Sequence, residues 1–277
     1  MAILQRNKQK KKKDTLVITP TFYPINVDNL YLAPYQRGIV QARVKVYADN
    51  YNPNIFGIIL VSHRDGKYYV VDGQHRVEVA KLLGIKTVWC QVLEGLTYTQ
   101  EAEHFYEINH NKTRLNANQK FHSKVEAKDS DALNIVRALT KYRFSYSKEG
   151  NESKDNVISA IGSLTLIYRR SGYNELCILL EILRRAWNGD HSSLKAEIIK
   201  GLDTFISNYT YDKDFLIKVL ETDTPKGISD KARSYTNNIR RPSDGACFHI
   251  AKTIRDMYEE LAIKTKGKIE LPRCCMK

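Results

Sequence analysis

The sequence lacks any run of apolar residues long enough to cross a membrane. A membrane-spanning helix needs about 20 consecutive, mostly apolar residues, and no stretch of the 277 residues approaches that length. Charged residues also occupy the N-terminal region, where a secretory signal peptide would need its apolar core. These absences argue against integral membrane proteins and exported proteins, and we expect a cytoplasmic protein.

Cysteine is scarce and shows no metal-binding spacing. The five cysteines form no Cys-x-x-Cys pair and no pattern with histidine; they are Cys90, Cys177, Cys247, Cys274 and Cys275. The histidines His104, His122, His191 and His249 likewise lack the spacing of metal ligands. The sequence therefore predicts neither a zinc site nor the disulfide framework of a secreted protein.

Negative charge is in deficit. Lys and Arg outnumber Asp and Glu by 44 to 31, which gives a net charge of +13. Such an excess favours polyanionic partners such as DNA or RNA. Six of the positive charges precede any predicted folded segment, at Arg6, Lys8 and Lys10–Lys13, and they predict a disordered arm over residues 1–14. The remaining +7 is also compatible with a merely solubilising surface.

Strand signals are concentrated between residues 56 and 92. The predicted elements are the strands Phe56–Val61, Tyr68–Val71 and Ile85–Val92 and the helix Gln74–Leu83. Asp65-Gly66 is a typical hairpin turn between the first two strands. Gly84 stands where a helix commonly ends in a left-handed residue. This order predicts a compact α/β unit.

Strand signals nearly vanish after Lys120. Capping boxes at Thr97/Gln100 and Asn116/Gln119 predict two helix starts. Amphipathic helices are then predicted over Ala132–Tyr142, Val157–Arg170, Leu176–Trp187, Leu194–Ser207 and Phe248–Ile263. The polar, glycine-containing stretches Ser147–Asp155 and Thr222–Ser229 are predicted loops. The second half of the chain is therefore predicted to be helical.

The segment Asp72-Gly73-Gln74-His75-Arg76 falls at a predicted strand-to-helix turn. The first amides of a helix lack internal partners and lie at its positive end, so an anion is stabilised there. Gly73 permits a close backbone approach, and Arg76 and His75 add donors. The alternative is structural: Asp72 caps the helix, and His75 and Arg76 are ordinary surface residues.

Two nearby stretches resemble the N-terminal domain of the ParB and sulfiredoxin superfamily. They are Asp72–Gly84 (DGQHRVEVAKLLG) and, after a β run, Thr97–Asn109 (TYTQEAEHFYEIN). Upstream, Tyr23–Asp28 and Pro34–Arg37 resemble the opening segment of the family, and Asn54–Ile59 resembles its strand before the hairpin. The resemblance covers about residues 22–120.

The resemblance implies a bound nucleoside triphosphate, CTP or ATP, with Mg²⁺, because the corresponding turn in this superfamily contacts nucleotide phosphates. The implied ligand-binding residues are Gly73, Gln74, His75, Arg76, Arg37, Asn109, Lys112 and Arg114, and Asn109 is also the implied metal ligand. Without the resemblance, the stretch from Asn109 to Arg114 predicts only a solvated helix C-terminus, where cations are favoured anyway.

The chain departs from the family at three positions. Gln74 replaces the reactive cysteine of sulfiredoxin, which argues against sulfinic-acid repair. Gln74 and His75 also replace the Glu and the first Arg of the ParB turn, so the identity of the nucleotide stays open. Ile108 precedes Asn109 where ParB has the glutamate associated with CTP hydrolysis, so hydrolysis stays open as well.

These features predict an α+β protein: a small ParB/sulfiredoxin-like α/β domain (15–120) followed by an all-helical domain (121–277). The predicted function is that of a nucleotide-binding, DNA-associated protein of the plasmid, phage or mobile-element kind. One alternative is a metal-dependent nuclease or NTPase, with His75 as general base and Asp72 or Asn109 holding the metal. Another is a non-catalytic protein-interaction adaptor. A homodimer is compatible with each.

Overall fold

The computed structural model describes residues 19–111, 114–238 and 245–265. The chain folds into two compact units that divide between residues 113 and 114. A five-stranded sheet lies in the first unit and helices dominate the second, which confirms the predicted α+β class. The predicted basic arm, residues 1–14, lies outside the described residues. None of the described helices is long and apolar enough to span a bilayer.

The first unit is built on a mixed sheet. Its strands are β1 (Thr21–Asn26), β2 (Leu30–Tyr31), β3 (Ile59–Arg64), β4 (Lys67–Asp72) and β5 (Thr87–Glu94), and its helices are α1 (Gln41–Asp49), α2 (Gln74–Leu82) and α3 (Tyr98–His110). The strand order is β1-β5-β3-β4-β2. Strands β1 and β5 are antiparallel, as are β3 and β4, whereas β3 runs parallel to β5 and β2 parallel to β4.

Local sequence signals explain the centre of this unit. Asp65 and Gly66 turn the β3–β4 hairpin with φ angles of 53° and 70°, as a two-residue turn with both residues left-handed requires. Helix α2 ends in a Schellman motif, in which Gly84 has a φ of 69° and the Ile85 amide donates to the Ala80 carbonyl. The predicted strand start at Phe56 is wrong, because the chain is irregular up to Ile59.

Both faces of the central sheet are covered. Helix α2 contributes Val77 and Ala80 to a core with Ile59, Val61 and Val70, all almost fully buried. On the opposite side, α3 packs near β4 and carries Glu101, whose side chain is fully buried and accepts a 2.9 Å bond from Arg64 Nε. This ion pair anchors α3, because a fully buried carboxylate requires a partner.

The second unit is helical apart from one short strand pair. Its elements are α4 (Ala117–Glu126), α5 (Ser130–Lys141), β6 (Ser145–Tyr146), β7 (Val157–Ile158), α6 (Ile161–Trp187), α7 (Ala196–Asn208), α8 (Lys213–Glu221), α9 (Pro225–Asn238) and α10 (Ala246–Lys264). Its core is formed by the apolar faces of these helices, with large side chains such as Leu180, Phe205 and Tyr258 almost fully buried.

Two sequence expectations for this unit need correction. The predicted helix start at Val157 is wrong, because Val157–Ile158 is strand β7 and α6 begins at Ile161. The predicted gap between Arg170 and Leu176 is confirmed by a kink at Gly172, whose φ of 83° and ψ of −173° are not helical. The predicted loop Thr222–Ser229 is wrong over its second half, because α9 begins at Pro225. Proline is well tolerated in the first turn of a helix, where its missing amide hydrogen has no partner to lose.

Candidate functional site

A cavity of about 310 Å³ lies in the first unit, where β4 meets α2. It is lined by Gln36, Arg37, Tyr47, Val71, Asp72, Gly73, Gln74, His75, Arg76, Phe105 and Asn109. The chain thus brings together the site residues predicted from the sequence, apart from Lys112 and Arg114. Lys112 lies outside the described residues, and Arg114 is an exposed residue at the start of the second unit.

The turn into α2 leaves helix amides uncapped. Gly73 is the N-cap, with a φ of 107° and no side chain to accept a bond from the first turn. The first helical bond runs from the Val77 amide to the Gly73 carbonyl at 3.0 Å. The interpretation of Asp72 as the cap is therefore wrong. A Cβ atom on residue 73 would lie 2.8 Å from Ile59 Cδ1, so the position also requires glycine for space.

Arg76 is committed mainly to protein acceptors. Its Nη1 donates to the Ile58 carbonyl at 2.9 Å and to the Phe56 carbonyl at 3.3 Å, and its Nη2 lies 3.1 Å from Asp72 Oδ2. The guanidinium lines the cavity while tying the turn to the segment before β3. We conclude that Arg76 stabilises the structure of the site at least as much as it contributes positive charge to it.

Two cations near the first turn of α2 lack an acidic partner among the described residues. Arg37 lines the cavity, and Arg43 lies on α1. Both are exposed, and neither guanidinium has an ion pair with any described residue. Burial, and then the charges of Arg37 and Arg43, lower the pKa of His75. Two positive charges therefore act on the first turn of α2 without a neutralising partner in the part of the chain that the structure describes.

The lowered pKa of His75 favours its neutral ring. Its Nε2 accepts the Val40 amide at 3.4 Å, which leaves the proton on Nδ1. An incoming anion would raise the pKa of His75, because a nearby negative charge favours the protonated ring.

Two glutamines that line the cavity, Gln36 and Gln74, each have a buried side-chain oxygen. Gln74 is 7% exposed, and its Nε2 donates to the Arg37 carbonyl at 3.1 Å. Gln36 donates through Nε2 to the Val70 carbonyl. The Oε1 atoms of both side chains are buried and have no partner among the described residues. Unpaired buried oxygens are costly, so each of these acceptors would be stabilised by a donor.

Asn109 supplies one further oxygen, from the last turn of α3. Its Nδ2 donates to the Phe105 carbonyl at 2.8 Å, which leaves Oδ1 available as an acceptor. The Thr97/Gln100 capping box fixes the start of α3, as the sequence predicted. Tyr35 packs beside this helix, and burial and then Glu101 raise the pKa of its hydroxyl. Asn109 is therefore held on a firmly anchored element.

Sequence reasoning missed Gln36, Arg43, Tyr47 and Phe105. Gln36 adjoins Arg37 within the segment that resembles ParB, so that resemblance could have pointed to it. Arg43 and Tyr47 lie on α1, in which only Val44 is buried. A short helix that buries a single residue gives a weak sequence signal.

A second cluster of polar groups lies in the helical unit. Ligand atoms of Asp155, Asp190 and His191 are within 4.8 Å of one another. Asp155 Oδ1 accepts the His191 amide at 2.9 Å, and Asp190 Oδ1 accepts the Ser192 amide at 2.9 Å. These bonds stabilise the loop before α7, and this structural role accounts for the cluster.

Comparison with known proteins gives one family match and several structural similarities. The family described as "Family of unknown function (DUF6551)" matches residues 32–251. No curated protein gives a significant match. The chain is similar to solved ParB structures, the family that its sequence resembles.

Three of these solved structures are the following. A C-terminally truncated chromosome-partitioning protein ParB from Caulobacter crescentus, complexed with CTP-γ-S, is 16% identical, with 58% of this chain and 99% of that chain covered and a TM-score of 0.41. The same protein complexed to the centromeric parS site is 18% identical over 74% and 95% of the two chains, with a TM-score of 0.28. A Pnob8-like ParB-N domain is 14% identical over 90% and 98%, also at 0.28.

Proposed function

This chain belongs to DUF6551, a family of unknown function, and we propose that its first unit binds the phosphate groups of a nucleoside triphosphate at the turn between β4 and α2. One observation carries the proposal. Arg37, without an acidic partner among the described residues, lines the same cavity as the uncapped first turn of α2, and the charge of Arg43, on α1, also acts on His75. An anion would neutralise both guanidinium groups and accept the free amides.

The other polar groups of the cavity support a ligand larger than a single phosphate. The orphaned oxygens of Gln36 and Gln74 require N–H or O–H donors, whereas ionised phosphate oxygens are acceptors only. A nucleotide has such donors on its base or its ribose. The resemblance of Asp72–Arg76 to the phosphate-binding turn of ParB points the same way.

Mg²⁺ fits the site as part of the ligand. Asn109 Oδ1 is available as an oxygen ligand, whereas Asp72 is paired with Arg76. Since Mg²⁺ usually binds through few protein oxygens together with substrate phosphates, Asn109 is its proposed protein ligand. The ion would supply charge neutralisation between the phosphate oxygens.

A binding role is better supported than a catalytic one. The Nε2 atom of His75 already accepts the Val40 amide, and Asp72 already pairs with Arg76. Both predicted catalytic residues thus have positioning contacts. The wider role that we propose, a DNA-associated protein of the plasmid, phage or mobile-element kind, is supported by the net charge of +13 and by the resemblance to ParB.

The test is a thermal-unfolding and calorimetry panel on the full chain with inorganic triphosphate, CTP, ATP, GTP and UTP, each with and without Mg²⁺. A ligand at 100 times its dissociation constant stabilises the folded protein by about 2.7 kcal/mol. We expect Arg37→Gln to weaken binding by roughly tenfold, the scale of one charged hydrogen bond. Lys86→Gln, which removes an exposed charge outside the cavity, should leave binding unchanged. Equal effects of the two variants, or no binding to wild type, would overturn the proposal.

A further inference from the structure

We propose that α1 forms a second wall of this site, in which Tyr47 stacks on the base and Arg43 contacts the phosphates of the bound nucleotide. The inference rests on the phosphate-binding function proposed above and extends it to an aromatic, base-bearing ligand. It adds two binding residues that lie outside the segments resembling ParB.

The start of α1 lies beside the first turn of α2. The Val40 amide, immediately before α1, lies 3.4 Å from His75 Nε2, which joins the start of α1 to the first turn of α2. Arg43 and Tyr47 are four residues apart, so they occupy one face of the helix. Tyr47 lines the cavity, and this face is therefore the one directed toward the site.

Tyr47 has an uncovered ring. The residue is 52% exposed, and its ring makes no aromatic contact with any described residue. The other aromatic residue of the cavity, Phe105, is packed against Tyr35 with a centroid distance of 5.5 Å. A half-exposed aromatic ring at the mouth of a cationic cavity is a natural stacking platform, because every base offers a π-face.

Arg43 supplies the charge of this wall. It is exposed and has no ion pair in the part of the chain that the structure describes. Burial and the charge of Arg37 lower the pKa of His75 most, and the charge of Arg43 lowers it further. Lys45 is two residues further along and therefore projects from another side of the helix. Substitutions of Arg43 and of Lys45 therefore remove one positive charge each from different sides of α1. Comparing them separates the effect of position from the effect of charge.

The experiment is calorimetric titration of the full chain with inorganic triphosphate and with the tightest-binding nucleotide of CTP, ATP, GTP and UTP. We expect Tyr47→Leu to weaken nucleotide binding by roughly tenfold, the scale of one base–aromatic stack, and to leave triphosphate binding unchanged. Tyr47→Phe, which keeps the ring, should bind both ligands like wild type. Arg43→Gln should weaken the binding of both ligands by roughly tenfold.

Matched controls keep the two proposals separate. Lys45→Gln removes the same charge from α1, and Tyr106→Leu removes a ring that is 64% exposed and does not line the cavity; both should bind like wild type. If wild type binds neither ligand, the phosphate site itself is refuted. If wild type binds but Tyr47→Leu retains full nucleotide affinity, or Arg43→Gln behaves like Lys45→Gln, the phosphate site stands and the role of α1 is refuted. Thermal unfolding of each variant verifies that it is folded.

Discussion

His75 couples the candidate site to pH. Burial, followed by Arg37 and Arg43, lowers its pKa below the ordinary value of 6.5. Between that value and the lower pKa of the folded protein, the unfolded chain binds a proton that the folded chain does not. The contribution of His75 to stability is therefore present above about pH 6.5 and is lost as the pH falls through this window.

His75→Gln should remove this pH dependence. We expect the free energy of unfolding of wild type, relative to the variant, to decrease as the pH falls from about 7 to about 5. Urea unfolding at several pH values measures the difference. Loss of the Val40 contact adds a constant offset, so the slope with pH is the diagnostic quantity. A constant difference across the range would show that the pKa of His75 is not lowered.

Arg184 illustrates a cation with a purely structural role. Its Nε donates to the Tyr142 carbonyl at 2.8 Å and its Nη2 to the Arg143 carbonyl at 2.6 Å, while its guanidinium lies 4.2 Å from the centre of the Phe144 ring. Arg143 has a φ of 58°, a left-handed conformation that needs such support. Arg184 therefore fixes the segment that follows α5.

Arg184→Met should destabilise the protein. The variant keeps much of the side-chain volume but leaves several carbonyls without donors, so we expect a loss of about 2–4 kcal/mol in urea unfolding. Arg185→Met is the matched control. Arg185 pairs with Glu181 and Asp214 on the surface, where ion pairs contribute little, and its loss should leave stability nearly unchanged. Equal effects of the two substitutions would contradict the structural role of Arg184.

At the scale of elements, the parts predicted correctly are those with strong local chemistry. The Asp65-Gly66 hairpin, the Gly84 helix end and the Thr97 and Asn116 capping boxes each involve residues within five positions of one another. Their conformations are therefore encoded in short segments. The same is true of the β4–α2 turn, which needs left-handed glycine at Gly73.

The elements that were missed depend on tertiary packing or on ambiguous residues. Helix α1 is nine residues long and buries only Val44, so little of its sequence reflects packing in a core. Helix α9 starts at Pro225, a residue that favours loops and first helical turns alike. The side of the cavity formed by Tyr47 was missed for the same reason as α1, since a wall contributed by a weakly amphipathic helix is visible only in three dimensions.

Gly73→Ala should damage the β4–α2 turn more than Gly84→Ala damages the end of α2. Both residues have positive φ, so each alanine adds backbone strain of about 1 kcal/mol. A Cβ at residue 73 would also lie 2.8 Å from Ile59 Cδ1, whereas nothing lies within 4 Å at residue 84. Overpacking adds about 1–3 kcal/mol at the first site alone. Thermal unfolding of the two variants measures the difference, and equal destabilisation would contradict the close packing at Gly73.

At the scale of the whole molecule, the distribution of strand and helix signals predicted the α+β class and composition predicted a basic protein, but the location of charge near the candidate site required coordinates. The α/β and helical halves follow from where strand signals stop along the sequence. The convergence of Arg37, Arg43 and His75 does not, because it joins residues from α1, its preceding loop and α2. The six cations among residues 1–14 and the net charge of +7 on the rest of the chain both favour a polyanion as partner.

Salt dependence separates the contribution of residues 1–14 to the proposed DNA binding from that of the folded units. For duplex DNA, log K falls with log salt by about 0.9 for each phosphate neutralised. Six cations, at Arg6, Lys8 and Lys10–Lys13, precede the described residues. If all of them contact phosphates, replacing these six by glutamine should reduce the slope by about 5. Fluorescence anisotropy with a labelled duplex at several salt concentrations measures both slopes. An unchanged slope would assign DNA binding to the folded units, and no binding by wild type even at low salt would refute the proposed DNA association.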